Sequence, residues 1–374
     1  MIYLDYSATT PLSYEVSDAM NKTSKEFIGN PNSLNELGRR SSNLLNKATK
    51  QIAMTLACSN DEITFTSSAT EANNMALIGV AMQHYKRGKH IIVSKLEHPS
   101  IYKICDYLVS CGFSISYVKN TEDGLIDFDD LKSLISEDTI LVSICAVNSE
   151  LGIRQPLKII RQIIKKQNPN TYFHSDVTQA IGKVTFNTID VDLASMSSHK
   201  IYGPIGIGML YKSKDITIKP LIYGSGKNNE LKPGTPALPL IVGFSKAVRL
   251  SQNDLDQRNS YIEKLNEKIL LQIKDMRGIL VNQTRYSIPQ VINISLLNVR
   301  PETFIRAMDE DEIYISTNTA CSSGDISSSV MAVYNDKLRA SRTIRISLSH
   351  LTTLDEVNTF LEKFKKNYIL LNNL

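Results

Sequence analysis

Through the middle of the chain, short apolar and β-branched runs alternate with stretches whose apolar positions recur at helical spacing. The runs at 62–66, 90–96, 113–118, 139–147, 172–176 and 192–199 read as strands, several separated by amphipathic stretches such as 69–86. That rhythm predicts a largely parallel sheet covered by helices. Residues 156–166, with Leu157, Ile159, Ile160, Ile163 and Ile164 apolar, read as a crossover helix, and Gly152 supplies the break before it. From Asn253 the pattern changes. A long polar helix (254–274) leads to a strand at 290–297, a helix at 301–308, strands at 313–316 and 343–349, and a final helix from Asp355. The expected division is a large α/β domain over 15–253 and a small α+β domain made of 254–374 together with residues 1–14. Residues 321–329, rich in Ser and Gly, read as a mobile loop.

Composition narrows the picture only a little. The 374 residues hold 42 basic and 38 acidic side chains, mixed along the chain, so the net charge of +4 gives no broad footprint for nucleic acid. Lys337, Arg339 and Arg342 form a small basic group, which reads more simply as a solvated face than as a tRNA contact. Five cysteines without a Cys-x-x-Cys suggest neither a disulfide framework nor a zinc site, and no metal centre is expected. No run approaches the ~20 apolar residues of a membrane span, and the N-terminus lacks the pattern of an export signal. A cytoplasmic protein without membrane attachment is expected.

Three groups of residues carry candidate chemistry. In the first, Lys200 lies in Ser197-Ser198-His199-Lys200-Ile201-Tyr202-Gly203-Pro204, after an apolar strand and before a Gly-Pro turn. Desolvation there disfavours the ammonium form, as a Schiff-base lysine requires. Taken alone, such a lysine is more often a surface residue in a turn. Upstream, the strand at 172–176 ends in Asp176, where a buried carboxylate could meet a pyridinium nitrogen and keep it protonated, with Gln179 close behind. Alone, Asp176 reads as the N-cap of a helix starting at Val177. In the second group, Ser67-Ser68-Ala69-Thr70-Glu71 follows a strand and opens a helix, which suits phosphate at a helix N-terminus; a plain capping box is the alternative. His98, in a loop after a strand, could stack on an aromatic ring. The third group lies near the C-terminus. Arg345 on an inward strand could hold a carboxylate bidentately or form a structural ion pair. Cys321 sits among small polar residues and could reach and attack, whereas Cys105 and Cys145 lie in apolar runs and look like core.

Taken in order, these segments resemble the cysteine desulfurases, which belong to the class V aminotransferase group of fold type I pyridoxal-phosphate enzymes. The pieces are Tyr3-Leu4-Asp5-Tyr6-Ser7-Ala8-Thr9-Thr10-Pro11, Gly29-Asn30-Pro31-Asn32-Ser33, Ala69-Thr70-Glu71, Glu97-His98, Asn148-Ser149-Glu150-Leu151-Gly152, Asp176 to Gln179, Ser197 to Gly203, Gly234-Thr235, Ala320-Cys321-Ser322-Ser323 and Arg345. The resemblance implies a mainly parallel sheet of the seven-stranded type and pyridoxal 5'-phosphate as cofactor. It further implies that Lys200 carries the cofactor, Asp176 pairs with the ring nitrogen, Gln179 bonds the ring hydroxyl and His98 stacks on the ring. Ala69, Thr70, Ser197 and His199 would hold the phosphate, and Thr235 would reach the phosphate of the neighbouring subunit, so a homodimer is implied. Arg345 and Ser149 would bind L-cysteine, and Cys321 would take its sulfur as a persulfide, leaving alanine. The sulfur would pass to an acceptor protein serving iron–sulfur assembly, tRNA thiolation or thiamine synthesis.

Some positions depart from the family's usual pattern. Ser149 replaces a second asparagine, Ser68 a glycine, Asn35 a histidine and Lys232 an arginine, while Ser349-His350 stands where Gly-Arg is common. The competing activities are those of a selenocysteine lyase or another class V aminotransferase, which need the lysine and aspartate without the attacking cysteine. A scaffold that has kept the fold and lost the chemistry is the reading from a different class.

Overall fold

The computed structural model describes residues 1–225, 229–317 and 326–372. In chain order its first half contains β1 (Ile2–Tyr3), α1 (Tyr14–Glu26), α2 (Glu36–Leu56), β2 (Ile63–Thr66), α3 (Ala69–His84), β3 (His90–Ser94), α4 (Pro99–Ser110), β4 (Ser114–Val118), α5 (Phe128–Leu134), β5 (Thr139–Ser143) and α6 (Leu157–Gln167). The second half adds β6 (Tyr172–Asp176), β7 (Leu193–Ser197), β8 (Gly208–Lys212), α7 (Leu238–Ser251), α8 (Leu255–Ile273), β9 (Ile279–Val281) and β10 (Val291–Leu296). It closes with α9 (Pro301–Glu310), β11 (Ile313–Tyr314), α10 (Ser328–Tyr334), α11 (Lys337–Ser341), β12 (Thr343–Ser347) and α12 (Leu354–Asn372).

Seven strands form one sheet in the order β2-β8-β7-β6-β5-β3-β4. β8 pairs antiparallel with both β2 and β7, and the remaining pairs are parallel, so β8 alone runs against the other six. The expected mainly parallel α/β architecture is therefore observed. Because side chains alternate across a strand, a sheet covered on both faces needs apolar residues at every position. Ile91 and Val93 face a core built with α3 and α4, while Ile92 between them joins the opposite core. This double burial is why the strands read as unbroken apolar runs.

The C-terminal part is built differently. β12, β10 and β9 form an antiparallel sheet, and β1 pairs in parallel with β11, so the first residues of the chain join the last. Their apolar faces share a separate core with α8, α9 and α12, in which Phe304, Phe360 and Phe364 are fully buried.

Several elements depart from the expected pattern. Residues 177–183 form tight turns and no helix, with the Asp176 carboxylate accepting from the Thr178 amide at 3.0 Å in the manner of an Asx turn. The sequence pattern had not drawn out α1, α2 or α7. α1 and α2 both pack on α7, so their stripes become a core only when all three meet. β8 is five residues starting at a glycine, which weakens any strand signal.

Gly152 closes the turn before the Val147–Arg154 bridge with φ +70°, and a Cβ there would lie 3.0 Å from the Val291 Cβ. Gly206 has φ +87° with open space around it. Gly152→Ala is expected to lower the unfolding free energy by about 2–3 kcal/mol, combining left-handed strain with overpacking, and Gly206→Ala by about 1 kcal/mol from strain alone. Urea denaturation of both variants checks the difference; equal losses would refute the packing term.

Candidate active site

Six strands running one way place their carboxyl ends on one edge of the sheet, which is where open α/β sheets hold ligands. The segment after β2 supplies Ser68, Ala69 and Thr70, and the segment after β3 supplies His98. The segment after β5 supplies Cys145, Val147 and Ser149. β6 ends at Asp176, and β7 at Ser197 is followed by the turn carrying His199 and Lys200. All of these line a single cavity of about 270 Å³, closed by Ser7 and Ala8 of the N-terminal segment and by Arg345 of β12.

One end of the cavity suits an anion. Ser68 caps α3, its hydroxyl accepting from the Glu71 amide at 3.2 Å, while the Glu71 carboxylate reaches back to the Ser67 amide at 2.6 Å. The capping and anion readings thus coexist, because the remaining first-turn amides stay available at the positive end of a sixteen-residue helix. Gly208 makes the close approach possible: a Cβ there would fall 2.7 Å from the Ser68 carbonyl carbon and 2.6 Å from the Met196 oxygen. His199 bonds Thr9 through Nδ1 at 3.1 Å. Burial, with Lys200 and Lys183 adding, pushes His199 down to about 4, so the ring stays neutral at physiological pH.

At the centre, the Lys200 ammonium donates to the Ser7 carbonyl at 2.7 Å and also to that of Ala8. The Asp176 carboxylate, 7% exposed, accepts from Asn73 Nδ2 at 2.9 Å as well as from Thr178. Gln179 donates from Nε2 to the Ser7 carbonyl at 3.0 Å, and its Oε1 accepts from Lys183. Burial of Lys183, with Lys200 and Arg345 adding, pushes its pKa down to about 7. His98 joins them in the cavity wall and caps α4 through Nδ1.

Arg345 is 1% exposed. It donates to the Ser149 carbonyl at 3.0 Å, to Asp5 Oδ1 at 2.9 Å and to Ser316 Oγ at 2.9 Å. The ion pair weighed as the plain reading of this arginine is present, and the side chain lines the cavity as well. Thr235 does not reach this cavity within the chain. It is exposed and lines another, of about 530 Å³, together with Ser67 and Lys232. Cys321 lies outside the described residues, as does the rest of 318–325; the mobile loop expected over 321–329 does not extend to its far end, where Ser327 caps α10 and Ser328 and Ser329 form the first turn of that helix. Cys145, read as core, is buried but also borders the cavity; its thiol donates to the Leu96 carbonyl at 3.1 Å, and burial raises its pKa.

Sequence reasoning missed Asn73, Ser100, Lys183 and the buried carboxyl of Glu97, and it gave Asp5, Ser7 and Ala8 no role. Asn73 carried a signal that could have found it. It is a fully buried amide on a helix whose other buried residues are Ala, Met, Leu, Gly and Val.

The residues present fit pyridoxal phosphate. A primary amine suits its aldehyde, a buried carboxylate suits a protonated ring nitrogen, and a helix N-terminus with hydroxyls suits its phosphate. Three buried polar atoms on cavity-lining residues, Asn73 Oδ1, Thr178 Oγ1 and Arg345 Nε, have no protein partner. Among the described residues no cluster of His, Cys, Asp or Glu could hold a metal ion, and no helix is long and apolar enough to cross a membrane.

The family model Aminotransferase class-V matches residues 2–360. Cysteine desulfurase IscS of Dictyoglomus turgidum is 37% identical over 371 residues, covering 98% of this chain and 94% of that protein. A solved structure of a NifS-like protein superposes with a TM-score of 0.93 at 35% identity, covering 100% of both chains. SspA, solved in complex with cysteine, superposes with a TM-score of 0.81 at 29% identity over 94% of this chain and 100% of that one.

Glu97 lies behind the cavity, its Oε1 accepting from Ser94 Oγ at 2.5 Å and from the Cys145 amide at 2.6 Å, and its Oε2 without a partner. Desolvation outweighs those bonds and, with Asp176 adding, pushes the carboxyl up to about 8 from its ordinary 4.5. Between these values the folded protein keeps a proton that the unfolded chain has released. Stability is therefore full below the ordinary value and falls as pH rises towards about 8, by up to about 1.4 kcal/mol per unit. Glu97→Gln keeps the acceptor and removes the titration. Its advantage over wild type in urea denaturation is expected to grow from pH 5 to pH 8; a pH-independent difference would refute the assignment.

Proposed function

We infer the division of labour in this site from a fixed premise: the chain belongs to the aminotransferase class-V family and, within it, to the cysteine desulfurases, which take sulfur from L-cysteine with pyridoxal phosphate. The observation that carries the reading is the convergence of Lys200, Asp176, the α3 N-terminus and Arg345 on one cavity. Pyridoxal phosphate, when bound, supplies the electron sink that loosens the Cα proton and the C–S bond of cysteine.

The phosphate end of the cavity is held by the Ala69 and Thr70 amides, the Thr70 and Ser197 hydroxyls and neutral His199. Asp176, oriented by Asn73 and Thr178, presents a carboxylate to the ring nitrogen. Gln179 offers its amide N–H to the ring hydroxyl, since Lys183 occupies its oxygen. His98, in the cavity wall, would be the residue that stacks on the ring. Lys200 would hold the cofactor through its amine and, with that amine free, would be the base for the Cα proton. Its contacts with the Ser7 and Ala8 carbonyls keep the amine within the cavity. Arg345 and Ser149 receive the substrate carboxylate. The serine is shorter than the asparagine common in the family, so more of that task falls to the guanidinium. Cys321 is the nucleophile that takes the sulfur, forming an S–S bond as the C–S bond of the substrate breaks; the electron pair left on carbon is protonated to give alanine.

The large part over 15–253 and the small part made of 1–14 and 254–374 belong to the same reading, supported by their separate sheets and cores. So does a homodimer, in which Thr235 of the partner subunit completes the phosphate site. Its support is the exposure of Thr235, away from its own chain's cavity. A cytoplasmic setting is supported by the unpaired state of Cys58, Cys105, Cys111 and Cys145. The sulfur passes to an acceptor protein.

Mass spectrometry after incubation with L-cysteine is expected to find one added sulfur atom on Cys321 and none in Cys321→Ala. Sulfur carried elsewhere, or full alanine release by the variant, would favour the lyase or aminotransferase reading. Lys200→Ala is expected to lose the yellow absorption of covalently held cofactor and to slow alanine formation by about 10⁴-fold or more; an unchanged absorption band would remove Lys200 from its role.

A further inference from the structure

His98 is both a cavity residue and the N-cap of α4. As the cap, its Nδ1 accepts the Ser100 backbone amide at 3.2 Å, and the Ser100 hydroxyl lies 2.9 Å from the same nitrogen. A proton on Nδ1 would point at the backbone N–H. The hydroxyl in turn accepts from Asn73 Nδ2 at 3.1 Å, and that same nitrogen donates to Asp176 Oδ2 at 2.9 Å. The orientation of the amide is not free. Turned over, it would set its oxygen against a carboxylate, and the one NH₂ group of Asn73 satisfies both acceptors only as found. With both amide protons assigned, the hydroxyl proton is left for Nδ1. A single direction of donation therefore runs from Asn73 outward, to Asp176 on one side and through Ser100 to His98 on the other.

We propose that Asn73 and Ser100 are positioning residues that hold neutral His98 with its proton on Nε2, the nitrogen left for the cavity. In that tautomer the ring offers the cavity a hydrogen-bond donor and no lone pair. Proton abstraction then belongs to Lys200, while His98 donates to negative charge that develops beside it. The same amide couples the orientation of His98 to that of Asp176, so the groups on the face and at the nitrogen of the ring are set together. The functional half of this inference rests on the cavity being the cofactor site; the tautomer itself does not.

Holoprotein labelled with ¹⁵N-histidine, its His98 signals identified by their loss in His98→Gln, tests the assignment by NMR. Wild type is expected to show an unprotonated Nδ1 and a protonated Nε2. Ser100→Ala removes one of the two donors to Nδ1, and the tautomer ratio is expected to fall about five- to tenfold, as the loss of one hydrogen bond implies; Ser100→Thr is expected to restore it. Asn73→Ala is expected to lower the ratio similarly and also to shift the cofactor absorption band through Asp176. If Asn73→Ala does not fold, the Ser100→Ala and Ser100→Thr pair decides. A proton on Nδ1 in wild type, or a ratio unchanged in Ser100→Ala, would overturn the proposal. A colourless protein with Nε2–H on His98 would leave the tautomer standing and count against the cofactor reading instead.

Discussion

The buried pair between Arg345 and Asp5 is the contact on which the rest of the site hangs. A guanidinium with almost no exposure is tolerable only when paired and hydrogen-bonded, and breaking such a pair costs about 3–5 kcal/mol because a charge is left stranded. Asp5 supplies the countercharge, and in doing so it fixes the N-terminal segment against β12, where Ser347 also donates its amide to the Leu4 carbonyl at 2.7 Å. Two residues further on, the Ser7 carbonyl accepts from Lys200 and from Gln179. The same few residues thus hold the arginine from the small sheet and the lysine from the large one. Both groups are thus tied to one short stretch of chain, residues 5–8.

That arrangement explains a division of rigidity across the cavity. Asp176, Asn73 and Gln179 are buried and bonded to partners on three different elements, so they sit where the sheet and α3 put them. The Asn148–Gly152 turn answers to both parts of the molecule. Asn148 accepts from the Glu150 and Leu151 amides and donates to Ser329 Oγ, and Ser149 receives Arg345 through its carbonyl. Glu150 accepts from Ser327, the cap of α10. The turn that carries Ser149 is therefore braced by α10. Any change in how α10 sits would be felt at Asn148 and Glu150, on either side of Ser149.

Much of this was legible in the sequence, and the reason differs from feature to feature. The parallel strands announced themselves because burial on both faces forces unbroken apolar runs, and Asp176, His98 and Lys200 stood out because each follows such a run at the carboxyl edge. The ordered motifs supplied what no single residue could. Ser100 stayed hidden because nothing in its helix start sets it apart, and Asn73, though out of place among the apolar residues of its helix face, gave no hint of what it served until the carboxylate was folded against it. Lys183 was hidden for the same reason, its partner Gln179 being one helical turn away in a segment that forms no helix. α1, α2 and α7 carry apolar stripes that gain meaning only from one another. Thr235 could be placed from sequence only by resemblance, since in a single chain it faces away from the cavity.

Charge decides which form of the site is at rest. Around the cavity stand three bases capable of carrying charge, Arg345, Lys200 and Lys183, against the carboxylates of Asp176 and Asp5. Glu97 is held protonated near neutrality, and His98 and His199 are pushed towards their neutral forms by burial. The surplus is the charge that Lys183 carries when protonated, and it lies in a low-dielectric pocket, where like charges repel more strongly than at the surface. Burial is the first cause of the depressed pKa of Lys183, and that repulsion adds to it, since Lys200 and Arg345 both oppose its proton. A phosphate at the α3 end and a carboxylate at Arg345 would relieve it from opposite sides. An anionic cofactor, and the carboxylate end of a zwitterionic amino acid, would therefore meet favourable charge before any specific contact is counted. Each anion would also make it easier for the remaining bases, Lys183 and Lys200 among them, to hold a proton.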